Sequence, residues 1–108
     1  MAALIAVPAA FAKSPPKAKY ECTIGNILFG DIQITGATTY TRYGKKGTYA
    51  AGTKLTRWKD KTVPGYTIVF KTGPLKNYKG RWYTSKGGVH EIALRNPIDN
   101  FESIYCDD

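Results

Sequence analysis

The chain has 108 residues, with 16 Lys and Arg against 8 Asp and Glu, and a formal net charge of +8 at neutral pH. That length bounds it to one domain with a single modest core, and no segment is long and apolar enough to read as a transmembrane helix. Two cysteines and one histidine, with no CxxC, lack the ligand spacing of a metal site, and neither a phosphate loop nor a dinucleotide fingerprint is present, so no cofactor is expected.

Residues 1–12 are apolar and uncharged and end in Ala10, Phe11 and Ala12, the small-x-small pattern at which signal peptidases cut. They read as an export-like leader, or else as an N-terminal strand or short helix that stays attached. Residues 13–19 form a basic, Pro-rich linker expected to be extended. The single domain is expected over 20–108. An exported chain, secreted or periplasmic, lives under oxidising conditions, so Cys22 and Cys106 are expected to pair. Closing a loop of about 84 residues contributes roughly 4–5 kcal/mol on chain-entropy grounds.

Beyond the linker the chain reads as strand after strand. Tyr20, Cys22 and Ile24 alternate with polar neighbours, and Ile32 and Ile34 repeat that period of two. The β-branched and aromatic run 38–43 is expected to turn at 44–47 and return over 48–51. Residues 53–58 continue and turn at 59–61. Pro64 and Gly65 signal another turn, and 66–71 is a strong strand that Gly73 and Pro74 break. Residues 80–84 and 91–95 flank a turn at 86–88, and 101–106 closes the chain. With no window of helical spacing, about eight strands indicate an all-β antiparallel meander closed as a barrel or tight sandwich, stapled by Cys22–Cys106.

No catalytic constellation is evident. His90 stands beside Glu91 at a strand start, Ser14, Ser85 and Ser103 lack a triad context, and no G-x-S-x-G elbow occurs. The expectation is a protein that is not an enzyme. Charge is unevenly placed: Arg42 to Lys86 carries twelve Lys and Arg with Asp60 as the single acid, whereas Glu91 to Asp108 carries five acids and Arg95. The basic stretch is also aromatic. Arg57, Trp58, Lys79, Arg81, Tyr83 and Lys86 are the candidate contacts for a polyanion, an acidic glycan or an envelope surface. On a strand, Arg81 and Tyr83 share a face; Trp58 and Phe70 are the rings expected inside. The alternative is that the rings are core and the lysines a solvated face. No helix-turn-helix, finger or RNA-binding motif is visible, so sequence-specific nucleic-acid reading is not expected.

Tyr20-Glu21-Cys22 at the domain start, Cys106 at its end, Thr72-Gly73, and Trp82-Tyr83 followed by Ser85-Lys86-Gly87 together resemble the bacterial inhibitors of c-type lysozyme, the MliC/PliC group. The resemblance implies a small periplasmic β-barrel whose two loops enter the lysozyme cleft. It places Lys86 at the inserted lysine and Thr72 where that family has serine, with a lysozyme-like protein as partner. A third reading is an assembly subunit that uses its N-terminal segment.

Overall fold

Alternation between inward apolar and outward polar residues, backed by β-branched and aromatic side chains, runs through the chain wherever it is extended. The computed structural model describes residues 14–54, 57–58, 61–62 and 65–108, the two short pieces as backbone only. The leader over 1–12 lies outside the described residues. Eight strands close into an antiparallel barrel: β1 (Ala18–Ile24), β2 (Ile27–Ile34), β3 (Thr39–Arg42), β4 (Lys45–Lys54), β7 (Tyr66–Phe70), β8 (Lys79–Thr84), β9 (His90–Arg95) and β10 (Glu102–Asp107). Two short strands, β5 (Arg57–Trp58) and β6 (Lys61–Thr62), pair with each other between β4 and β7. Each barrel strand pairs with its sequence neighbour, and β1 meets β10 to close the circle. Among the described residues there is no helix. Closure leaves the barrel no free edge.

The closing seam is where the cysteines meet. Cys22 of β1 stands directly opposite Cys106 of β10, and the two form a disulfide across 84 positions of sequence. Both sulfurs lie inside the barrel with Tyr20, Ile32, Ile34, Tyr40, Tyr49, Ile68, Phe70, Trp82, Ile92, Leu94 and Ile104. Burying a large apolar side chain contributes about 1.5–3 kcal/mol. The core rings pack edge to face, Tyr40 on Phe70 at 4.8 Å between centroids, and Tyr66 stacks on Trp82 at 5.4 Å.

Each buried tyrosine carries its hydroxyl out to a connection at the barrel's ends. Tyr40 donates to the Thr72 carbonyl (2.8 Å) and accepts from the Leu75 amide (2.8 Å). Tyr49 donates to the Gly36 carbonyl (2.7 Å), and Tyr20 to the Pro16 carbonyl (2.9 Å). Burial pushes all three phenols above their ordinary value, which keeps them neutral donors. The linker is therefore tied down at its end: Pro15 is buried, Ser14 donates to the Ala37 carbonyl (2.9 Å), and Ala18 and Lys19 already belong to β1.

One turn differs from expectation. The β3–β4 connection is Tyr43 and Gly44 alone, with φ of 52° and 75°, the two-residue hairpin geometry that matches strand twist. Gly47 lies inside β4, not in the turn. A Cβ on Gly47 would meet the Tyr40 ring and the Thr72 carbonyl, so the glycine there serves close packing.

Candidate functional site

Antiparallel order sorts the connections between the barrel's two ends. β1–β2, β3–β4, β7–β8 and β9–β10 open at one end; β2–β3, β4–β7 and β8–β9 open at the other. The first end gathers positive charge. Arg42 and Lys45 flank the β3–β4 turn, with Lys46 next in β4; Lys71 and Lys76 lie in the β7–β8 connection; Lys79 begins β8 and Arg95 ends β9. Five of these cations, the lysines, are exposed. Against them stand Asp99 and Glu102.

Glu102 is already engaged. Arg81 grips it with two bonds, Nε to Oε1 at 2.7 Å and Nη2 to Oε2 at 3.2 Å, and both side chains are about nine-tenths covered, at 14% and 13% exposure. The pairing with Glu102 raises the Arg81 guanidinium further above its ordinary value, against the opposing effect of burial. Arg81 also lies 4.6 Å from the Tyr83 ring centre, and Tyr83 donates to Glu91 at 3.3 Å. Burial first and the Glu91 charge second raise the Tyr83 phenol. Arg81 and Tyr83 thus share an outward face of β8, as alternation requires, and both already hold protein partners there.

Lys79 is different. It is exposed, and it sits directly opposite Arg95 across the β8–β9 ladder. The two line a cleft with Asn77, Asn96, Pro97 and Asn100, which the β7–β8 and β9–β10 connections complete. Arg42 likewise faces Lys45 across β3–β4. Arg95 also stands directly opposite Glu102 of β10, so Lys79 is the exposed cation of this cleft. Like charges directly opposed on a sheet cost up to about 1 kcal/mol, and an anion at Lys79 offsets part of that cost.

The cationic end is held in shape. The Arg42 guanidinium lies 4.1 Å from the Phe29 ring centre and 5.1 Å from that of Tyr43, and donates to the Phe29 carbonyl. Phe29 meets Tyr78 of the β7–β8 connection edge to face at 5.8 Å, which links two connections across the mouth. Leu75 is fully buried beneath, and Tyr40 holds the backbone on either side of it. Tyr43, Asn77 and Asn100, the non-glycine residues with positive φ among those described, lie one in each of three connections at this end. Such backbone is costly and persists where surrounding contacts hold it.

The remaining sequence candidates fall elsewhere. Lys86 is exposed in the β8–β9 turn at the opposite end. Thr72 lies in the β7–β8 connection, where its hydroxyl meets that of Thr48 at 2.8 Å and accepts from the Thr48 amide at 2.9 Å. The length of β8 therefore separates Thr72 from Lys86, roughly 20 Å at the usual rise per residue. The side chains of Arg57 and Trp58 lie outside the described residues. Of the rings in the basic stretch, Tyr40, Tyr49, Phe70 and Trp82 are core, and Tyr43 is exposed.

A second charged region lies on the barrel wall. Asp31, Glu21, Asp107 and Glu91 form one outward row across β2, β1, β10 and β9, each directly opposite the next. Lys19 approaches Glu21 at 3.8 Å, both well exposed, a pair worth little in water. No group of His, Cys, Asp and Glu among the described residues has metal-site geometry, and no helix there is long and apolar enough to cross a membrane. Compared with protein-family models, curated proteins and solved structures, the chain matches none of them.

Proposed function

We propose that the chain is a non-enzymatic binding protein of an oxidising, secreted or periplasmic compartment, and that its cationic barrel end receives a polyanion or acidic glycan. The observation that carries this reading is the gathering of exposed Lys45, Lys46, Lys71, Lys76 and Lys79 at one barrel end, with Lys79 in a cleft beside Asn77, Asn96 and Asn100. Guanidinium and ammonium groups meet sulfate, phosphate or carboxylate through charge-assisted bonds, and asparagine amides add donors around them. Lys45, Lys71 and Lys76, exposed on neighbouring connections, extend the field beyond the cleft. The internal disulfide fits the oxidising compartment.

Retention on immobilised heparin, followed against salt, tests the reading. Counterion release makes the affinity fall linearly in log–log form, and removing one bound cation lowers the slope by about one. Lys79→Ala and Lys76→Ala should each lower it, and Lys86→Ala at the far end should leave it unchanged. Equal losses from Lys79→Ala and Lys86→Ala would reject the assignment to this end. A lysozyme-inhibitor role would have Thr72 and Lys86 act from opposite ends of β8, and no contact of either residue favours it. An assembly role rests on the N-terminal segment, which lies outside the described residues.

A further inference from the structure

The cationic end is also apolar at its tips. Ile27 is 69% exposed, Tyr43 75%, Ile98 95% and Phe101 62%. Ile27 opens β2, and the other three project from the β3–β4 and β9–β10 connections, all at this end. A single exposed isoleucine on a surface means little. Here four large apolar side chains stand on two connections and the first residue of β2 at one end, interleaved with the lysines described above, and none of them belongs to the barrel's core. The β1–β10 ladder sets two of these tips near each other. Ile24 stands opposite both Ile27 and Ile104, and Phe101 immediately precedes β10.

We propose that this end docks on an anionic lipid bilayer, the apolar tips entering the headgroup region and the cations meeting lipid phosphates. The proposal rests on the polyanion reading and names its partner. Charge complementarity selects the occupant. A purely apolar partner would leave the lysines desolvated without counter-charge, and a free acidic glycan would leave Ile98 and Phe101 in water. A bilayer interface takes apolar groups about 5–10 Å deep and offers phosphates at that same level. The acidic row fits this orientation. Asp107 and Glu91 lie toward the ends of β10 and β9 remote from the tips, so docking holds them off the anionic surface.

Co-sedimentation of the full chain with vesicles tests the docking, using phosphatidylcholine alone and phosphatidylcholine mixed with phosphatidylglycerol. Binding to the mixed vesicles and not to the neutral ones is expected. The triple substitution Ile27→Ser, Ile98→Ser, Phe101→Ser should lower partitioning by about tenfold or more, and leave heparin retention as it is. A cooperative thermal unfolding transition reports that the variant is folded. A wild-type chain that binds heparin but ignores anionic vesicles overturns the docking and leaves the polyanion reading standing. So does a triple variant that partitions as well as the wild type. A wild-type chain that fails to hold heparin at low salt overturns both.

Discussion

The cationic end and the acidic wall of this barrel are each built from like charges directly opposed on neighbouring strands, yet they differ in what surrounds the charge. At the cationic end Lys79 and Arg95 open into a cleft with three asparagines, and apolar tips stand around it. On the wall Glu21, Asp107 and Glu91 line a recess over the covalent seam with Leu28 and Tyr105, and Asp31 continues the row. Each opposed pair costs a few tenths of a kcal/mol to about 1 kcal/mol. The difference teaches that charge alone does not mark a binding surface. What sets the cationic end apart is that its charge coincides with amide donors, with apolar tips on several connections and with left-handed backbone at Tyr43, Asn77 and Asn100.

The largest effect should come from the seam. Cys22→Ser with Cys106→Ser should lower unfolding free energy by roughly 4–5 kcal/mol on chain-entropy grounds, a large share of a small domain's stability. Denaturant titration measures it; a loss under about 1 kcal/mol would mean the wall holds its ends together without the bond. Arg81→Leu is next. It removes both guanidinium bonds from the covered Glu102 carboxylate, which keeps the Tyr105 hydroxyl at 3.4 Å, at a cost on the order of 3 kcal/mol. Heparin affinity of the folded variant should stay level, because Arg81, although on the outward face of β8, is held by Glu102 and largely covered. A matching fall in affinity would move the binding surface up the β8 wall.

Tyr40→Phe probes how the cationic end is held. It removes the donor to the Thr72 carbonyl and orphans the buried Leu75 amide, a cost of about 1–3 kcal/mol. Amide hydrogen exchange should rise over 71–78 and stay unchanged over 85–89; uniform change along the chain would show that the connection has no stability of its own. The smallest effect belongs to the far end. There the Asp108 carboxylate accepts from the His90 amide at 2.9 Å and meets His90 Nδ1 at 2.7 Å. Burial works to raise the Asp108 carboxyl, and the bonds to His90 outweigh it, so the carboxyl titrates below its ordinary value. A lowered folded value means stability that is present at neutral pH and lost as pH falls through that value. Wild type and Asp108→Asn should therefore differ slightly near neutrality and converge in acid; a difference that widens in acid would reverse the sign.

The barrel was legible because period-two alternation and turn residues mark strands one by one, and a disulfide between the first and last of them implies closure. The β3–β4 turn was misplaced because Gly44 and Gly47 both look like turn residues, and only packing against Tyr40 tells them apart. Lys79 was legible as a candidate from its basic, aromatic surroundings, and it is exposed. The engagement of Arg81 was not, since Glu102 lies 21 positions away and meets it only through the β8–β9–β10 register. The acidic wall was hidden for the same reason: Asp31 and Glu21 come from the start of the chain and join Glu91 and Asp107 from its end. Lys45, Lys71, Lys76 and Arg95 were missed as a group, although a signal existed. In an antiparallel meander every second connection falls at the same end, so basic residues in alternate turns converge without any knowledge of register.

A backbone amide NMR titration with a heparin oligosaccharide tests the central claim most directly. The account predicts shifts confined to 42–46, 71–79 and the cleft positions 95, 96 and 100, shrinking as salt is added. Shifts centred on 85–88, or spread over the wall strands that carry Glu21 and Asp107, would contradict it.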